Sequence, residues 1–255
     1  MLGSIPVTHA KGSMMTLLLG IIFLSLLLAQ TLASSSSSGS PSLTAFVGKT
    51  RTAEGNDQNN STTTEPHGYN VLKEQILYSH WRILLQRMVE LPNGKVVDFD
   101  IVSQKGAGAA IIFVWDSHTK TATLVREYNP GPHELLYGLA AGLIDQQDHQ
   151  EADPRITAEN ELNEECHLEG GTWHLLTKIP VAMDKYVDFR VHAYLVIDPT
   201  QVEHPRPLDN EEIIEIVPRV SVDEIKRMVR EGEMNMVGSW ASLLALEKLR
   251  DLGEL

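Results

Sequence analysis

The chain contains a short, uninterrupted apolar segment that restricts the folds available to it. Residues Ala109 to Trp115 read AAIIFVW and include no charged side chain. An apolar run of this length, followed by turn residues, is expected to form a buried strand. Asp116-Ser117-His118 then turns the chain, and Thr121–Arg126 brings it back. The sequence therefore predicts a sheet that contains this buried pair of strands.

Further strands and a few helices are predicted around this pair. Alternating or continuous apolar residues indicate strands at 173–179, 191–197 and 213–217, and helices at 156–168, 221–231 and 240–252. Mixed strands with few helices predict an α/β sandwich rather than a doubly wound sheet. Before this body, Pro92-Asn93-Gly94 separates two apolar segments, Ile76–Leu91 and Val96–Val102. Because Asn-Gly suits a tight turn, these segments predict an N-terminal antiparallel hairpin.

The first part of the chain has the composition of a targeting segment followed by a linker. Met14–Ala29 is uncharged and apolar, and Thr31-Leu32-Ala33 supplies small residues where a signal peptidase would cleave. We therefore expect a signal peptide over 1–33, with an uncleaved anchor as the alternative. Residues 34–68 contain very few large apolar side chains and predict a disordered linker or a second targeting segment.

This start of the chain predicts entry into the secretory pathway. Thr44–Val47, followed by Lys49 and Arg51, resembles the bipartite plastid presequences of algae. The expected destination is therefore a plastid, the endoplasmic reticulum or the cell exterior rather than the cytosol. The remaining expected boundaries are a hairpin region over 69–104 and the main α/β domain over 105–255.

The charge of the chain restricts its ligands. The formal net charge is -13, from 34 acidic and 21 basic residues. Before residue 69 the acidic and basic side chains are equal in number, so the whole excess lies in the folded body. Such a body repels a phosphate backbone, so nonspecific nucleic-acid binding is not expected. A phosphorylated ligand would need metal cations to offset the repulsion, and the single Cys166 excludes an intramolecular disulfide.

Three glutamates on one predicted helix are the main indication of chemistry. Glu161, Glu164 and Glu165 have the i, i+3 and i+4 spacing that places their carboxylates on one helical face. Like charges at this spacing repel each other, and no basic residue lies between them. The arrangement suits a hard cation such as Mg²⁺, which prefers oxygen ligands. The alternative is a solvated acidic face with no ligand, which is common for charged runs.

The context of this helix resembles the Nudix hydrolases, and within them the ADP-ribose pyrophosphatase group. Gly142 matches the opening glycine of the family box, and Glu161-Leu162-Asn163-Glu164-Glu165 with Leu168 matches its E-U-x-E-E and closing aliphatic positions. The run Ala141–Asp145 and the loop Tyr128–Gly131 are also typical of that group. The resemblance covers roughly residues 76–252 and implies a Nudix-type α/β/α sandwich with a mixed sheet.

The chain departs from the family pattern at several positions. Asn160 replaces the arginine that normally orients the catalytic glutamates, and His167 replaces a glycine. The loop between Gly142 and Asn160 is four residues longer than in the family pattern. Ala152 occupies the position of a family glutamate, for which Asp148 or Glu151 could substitute. These departures affect residues that would orient the glutamates, whereas the three glutamates themselves match the family pattern.

The resemblance implies a set of site residues. Glu161, Glu164, Glu165 and the carbonyl oxygen of Ala141 would bind Mg²⁺, with Mn²⁺ as the alternative cation. In the acidic run Asp209–Glu212, Glu211 is expected to be the general base. Arg126, Gly142 and Asp209 are the expected substrate contacts, although Arg126 could instead pair with Glu127 or Glu134.

The implied reaction is hydrolysis of the diphosphate bond in a nucleoside diphosphate derivative. ADP-ribose, giving AMP and ribose 5-phosphate, or a nucleotide sugar is the expected substrate. Asn160 and the longer loop leave a second interpretation open, that of a catalytically impaired module that binds a nucleotide as a sensor. A third is an acidic interaction domain without a ligand. The resemblance also implies a homodimer, with the 70–103 hairpin between subunits and Tyr78, Trp81 and Tyr128 in the core, at the dimer contact or against a base.

Overall fold

The apolar run Ala109–Trp115 forms a central strand that is buried on both faces. A computed structural model describes residues 68–106, 108–144, 153–209 and 212–255. In it, Ala110, Ile112 and Val114 join one hydrophobic cluster, while Ile111, Phe113 and Trp115 join another. Successive side chains of a strand point to opposite faces. An uninterrupted apolar strand therefore requires a covering layer on each side.

The described residues include thirteen strands, which form three sheets. They are β1 (Asn70–Ser79), β2 (Ile83–Glu90), β3 (Val96–Ser103), β4 (Ala109–Asp116), β5 (Thr121–Asn129), β6 (Glu134–Gly138), β7 (Ala140–Leu143), β8 (Leu168–Glu169), β9 (Thr172–Leu175), β10 (Val181–Ala182), β11 (Arg190–Ile197), β12 (Thr200–Gln201) and β13 (Ile214–Val220). The central sheet has the order β10-β11-β4-β5-β13, and only its β11–β4 pair is parallel among the described pairings. β8 and β12 form a small separate pair.

The two central strands β4 and β5 separate along their length. Val114–Asp116 at the end of β4 pairs with Thr121–Thr123 at the start of β5. The first half of β4 pairs instead with β7, and the second half of β5 pairs with β6. This division lets β7 pair with β4 in the sheet, where it contacts the first helix of the domain.

Among the described elements, three helices cover the two faces of the central sheet. They are α1 (Pro154–Cys166), α2 (Val222–Glu231) and α3 (Met236–Asp251). α1 contributes Ala158, Leu162 and Cys166 to the cluster beneath it, and α2 and α3 cover the opposite face. The predicted α/β/α sandwich is therefore confirmed. Ser221 caps the start of α2 by accepting a hydrogen bond from the Glu224 backbone at 3.2 Å.

The N-terminal region forms a three-stranded antiparallel sheet. The predicted hairpin is present as β2 and β3, which pair from Ile83–Ser103 to Glu90–Val96. The apolar stretch 76–91 is divided by a bend at 80–82, so its first part belongs to β1 and pairs with β2. All ten residues of β1 are exposed.

Several element boundaries differ from their predictions. β5 continues to Asn129, so Tyr128 and Asn129 belong to a strand rather than to the predicted loop. The strand predicted over 173–179 ends at Leu175, and the last helix begins at Met236, where Asn235 caps it by accepting from Gly238 at 2.7 Å. In the described part of the chain no helix is long and apolar enough to cross a membrane. The predicted signal segment and linker lie outside the described residues, apart from Gly68.

Candidate active site

Helix α1 is fixed by its caps and by its apolar side chains. Asp153 caps its start by accepting from the Arg155 backbone at 2.9 Å. Leu162 is fully buried against the sheet, which turns the remaining faces of the helix toward β7 and the adjacent loops. The helix ends at His167, whose φ of 58° is left-handed. A glycine suits this conformation best, so His167 adopts the backbone for which the family pattern has glycine.

Glu165 is the most deeply buried carboxylate of this region. Its side chain is 4% exposed, and its Oε2 accepts a hydrogen bond from the Ala141 backbone of β7 at 2.9 Å. Burial, and next the nearby carboxylate of Glu161, raises the pKa of Glu165 to about 9. The Ala141 hydrogen bond opposes this rise without cancelling it. The site therefore holds a carboxyl group that lacks a compensating positive charge.

Glu161 lies directly against Gly142. A Cβ added at Gly142 would stand 1.7 Å from Oε1 of Glu161, which is far inside van der Waals contact. The constraint on Gly142 is therefore the position of the Glu161 side chain, which an added Cβ would displace, and not a positive φ angle. This contact brings Gly142 and Glu161 together, as the family resemblance implied.

Glu164 occupies the more accessible side of the same helical turn. Its side chain is 25% exposed, and its Oε1 lies 3.6 Å from Nη1 of Arg206. Of the three glutamates predicted to share a helical face, Glu161 and Glu164 are partly buried and Glu165 is buried. They neither point away from the body nor lie on a fully solvated face.

Two further glutamates approach this cluster. Glu127 on β5 is half-buried, and burial and the charge of Glu212 raise its pKa. Both Glu127 and Glu212 interact electrostatically with Glu165. Sequence reasoning considered Glu127 only as a partner for Arg126. The signal for its location was the alternation along β5, because Val125 packs beneath α1 and Glu127 has the same parity.

The acidic loop before β13 reaches the site through Glu212. The backbone of Asp209 donates to Oε2 of Glu212 at 3.3 Å, and the Glu212 backbone donates to the Asp209 carbonyl at 3.0 Å. Asp209 therefore supports the position of Glu212. The predicted base Glu211 lies outside the described residues, as do Asp148, Glu151 and Ala152.

Arg126 is on the other face of the sheet. Its guanidinium lies 5.5 Å from the ring centre of Tyr137, which packs against the cluster beneath α2 and α3. It pairs with Glu215 across the strands at 3.6 Å, rather than with Glu127 or Glu134. Arg126 and Tyr128 line an open cavity of about 730 Å³ with residues 133–137 and 232–233. The structure does not bring Arg126 together with the α1 glutamates.

The oxygen donors of the site fit a hard divalent cation. The donors are carboxylates, and burial, followed by the charge of neighbouring glutamates, raises the pKa of Glu165. Within the described ranges, no three His, Cys, Asp or Glu side chains form a ready-made metal cage. Mg²⁺ commonly binds through one or two carboxylates, waters and substrate phosphates, so such a cage is not required.

Comparison with known proteins identifies the family. The model of the NUDIX domain matches residues 105–237, which is more than half of the chain. The chain therefore belongs to the Nudix family, and the prediction of a Nudix hydrolase is confirmed.

The matched regions span most of the length of three similar proteins. The ADP-ribose pyrophosphatase of Bacillus subtilis (strain 168) is 29% identical over 166 residues, which cover 64% of this chain and 84% of that protein. The ADP-ribose pyrophosphatase of Mycobacterium tuberculosis is 28% identical over 181 residues, with coverages of 71% and 84%. The methanol dehydrogenase activator of Bacillus methanolicus is 26% identical over 143 residues, with coverages of 56% and 72%.

A solved structure supports the fold. The structure described as that of an ADP compounds hydrolase superposes with a TM-score of 0.60 and covers 73% of this chain and 97% of its own. The sequence identity is 18%, so this similarity concerns the fold alone.

Gly142→Ala is expected to displace Glu161. The added methyl group overlaps the carboxylate, and misplacing a reacting or binding group by about 1 Å can reduce a rate roughly a hundredfold. We expect such a loss in hydrolysis of a nucleoside diphosphate derivative, with cooperative thermal unfolding retained. Gly131→Ala is the matched control, because no atom lies within 4 Å of the added Cβ there. Full activity of Gly142→Ala would contradict the tight contact.

The metal-free protein is expected to lose stability as pH rises. The pKa of Glu165 is about 9 in the folded chain against an ordinary value of 4.5, so the folded state retains a proton across this interval. Since the unfolded state releases that proton, the free energy of unfolding should fall between these two pH values. Thermal unfolding in a chelating buffer measures the slope. Glu165→Gln should flatten it, and Glu159→Gln, on the exposed side of α1, should not.

Proposed function

We propose that the protein is a Mg²⁺-dependent pyrophosphohydrolase of nucleoside diphosphate derivatives. ADP-ribose is the favoured substrate, with AMP and ribose 5-phosphate as products, and a nucleotide sugar is the next candidate. The observation that supports this most directly is the set of carboxylates around β7, in which Glu165 contacts the Ala141 backbone and Glu161 contacts Gly142. Two relatives that carry the name ADP-ribose pyrophosphatase support the substrate.

The proposed roles of the residues follow from their surroundings. Glu161, Glu164 and Glu165, with the Ala141 carbonyl, would hold Mg²⁺ or Mn²⁺. A cation bound there supplies positive charge to the phosphoryl oxygens and lowers the pKa of bound water. Bound metal would also favour the ionised form of Glu165, whose pKa is otherwise raised by burial.

A carboxylate of the loop before β13 is proposed to orient the attacking water. Glu211 is the base implied by the family resemblance. Glu212 is a second candidate, because it interacts electrostatically with Glu165 and Glu127 from the same loop. A base has to lie within hydrogen-bond reach of the water from which it takes a proton. Separate Glu211→Gln and Glu212→Gln variants distinguish the two.

The proposed function predicts metal-dependent turnover by the purified chain. With Mg²⁺, ADP-ribose should give equal amounts of AMP and ribose 5-phosphate, and a nucleotide sugar and a dinucleotide complete the substrate panel. Glu164→Gln and Glu165→Gln should each reduce kcat by about a hundredfold or more, because each removes a ligand charge. Chromatography of the nucleotide products is the measurement.

Controls for this assay separate the competing functions. Glu159 is on the same helix and its side chain is exposed, so the Glu159→Gln variant should retain activity. Nucleotide binding without product in the wild-type chain would instead support the sensor function. Thermal stability that responds to neither Mg²⁺ nor nucleotide would support an interaction domain, because a bound ligand stabilises the folded state.

We also propose a homodimer that uses the N-terminal sheet. Strand β1 exposes apolar side chains that include Val71, Ile76 and Tyr78, and the adjacent Trp81 is 72% exposed. Tyr78 and Trp81 are therefore not core residues. A long apolar edge strand is unfavourable in water unless another surface covers it. A second copy of the chain supplies such a surface, as the family resemblance implies.

The dimer is expected to depend on these side chains. Sedimentation should give twice the mass of one chain, and the double variant Ile76→Lys/Trp81→Lys should shift the equilibrium to monomer. Leu243→Lys is the control, because Leu243 is exposed on α3, away from β1. A monomeric wild-type chain at tens of micromolar would contradict the proposal.

A further inference from the structure

The segment that follows β12 is attached to the end of the glutamate helix. Gln201 donates from Nε2 to the His167 carbonyl at 3.0 Å, and the Val202 backbone donates to the same carbonyl at 2.9 Å. Four residues later, the Arg206 backbone donates to Oδ1 of Asn163 at 2.9 Å. The segment therefore runs back along α1 and fixes the backbone of Arg206 beside its third turn.

This attachment brings a guanidinium to Glu164. Nη1 of Arg206 lies 3.6 Å from Oε1 of Glu164. The Glu164 side chain is 25% exposed and that of Arg206 is 55% exposed, so the charge pair is partly screened by solvent. We therefore expect the pair to orient the Glu164 side chain and to contribute little to the free energy of unfolding.

Helix α1 has a neutral residue, Asn160, at the position from which a cation could reach Glu164. Asn160 is four residues before Glu164, and side chains at this spacing are neighbours on a helix. An arginine at position 160 could reach Glu164 from within α1, whereas the neutral amide of Asn160 supplies no charge. Arg206 provides a cation to the same carboxylate from a different segment of the chain.

We propose that Arg206 is a positioning residue that orients Glu164 for metal binding and replaces the cation absent from position 160. The planar guanidinium has several N–H donors, so it can hold one carboxylate oxygen and leave the other toward the site. The proposal rests on the proposed function, in which Glu164 is a metal ligand. It adds that this ligand is oriented by a residue outside the helix.

The test measures Mg²⁺ affinity and turnover separately. Arg206→Ala should weaken Mg²⁺ binding in calorimetry by roughly tenfold, which is the lower end of the usual effect of removing a partner of a metal ligand. We expect kcat for ADP-ribose to fall by a similar factor while KM changes little. The Asn163–Arg206 hydrogen bond uses backbone, so the alanine variant retains the attachment of the segment.

A second substitution tests the replacement directly. Asn160→Arg in the Arg206→Ala background should restore most of the Mg²⁺ affinity and kcat, because it supplies the guanidinium from one helical turn away. Arg206→Lys should retain an intermediate level, since lysine keeps the charge without the planar fork. Arg230→Ala, an exposed arginine on α2 whose Nε donates to the Lys226 carbonyl, is the matched control.

The outcomes distinguish this proposal from the one on which it rests. Wild-type Mg²⁺ affinity in Arg206→Ala would overturn it, and so would tighter binding, which would make Arg206 only a competing cation. A loss that Asn160→Arg does not restore would also overturn it, because it would assign Arg206 to packing alone. Wild-type protein without Mg²⁺ binding or turnover would overturn the proposed function as well.

Discussion

The site depends on the burial of one carboxyl group, that of Glu165. Glu165 is buried on the inner side of α1, close to other glutamates, and a backbone hydrogen bond from Ala141 opposes the rise of its pKa. A carboxylate in such surroundings is costly to ionise unless positive charge arrives. The apolar packing of α1, in which Leu162 and Ala158 are completely buried, offsets this cost. The apolar contacts that hold α1 against the sheet are thus separate from the charge interactions that its glutamates would make with a bound cation.

The division between β4 and β5 gives this burial its geometry. Because the strands part after a short shared ladder, β7 can pair with β4 beneath α1 and present Ala141 and Gly142 to the helix. On the other edge of β5, β13 pairs from Ala122 to Glu127, which brings Glu127 and the loop of Glu212 near Glu165. Short-range sequence patterns place the helix, but the meeting of these four segments arises from strand pairing.

The sequence was most informative where a local pattern determines the result. The apolar run at β4 and the i, i+3, i+4 spacing on α1 were sufficient to predict a buried strand and a shared acidic face. The split of the N-terminal stretch into β1 and β2 was missed, because its apolar composition continues through the bend. The contacts of Arg126 and Arg206 could not be predicted, since each depends on a partner from a distant strand or segment.

The two faces of strand β5 carry side chains of opposite charge in different surroundings. Glu127 joins the acidic cluster beneath α1, while its neighbour Arg126 faces the cavity beside Tyr137. A shift of register by one residue reverses every side chain of a strand. Adding or deleting one residue in the turn before Thr121 would therefore send a cation among the glutamates and a carboxylate into the opposite cavity. The length of this turn should consequently tolerate less variation than its surface location suggests.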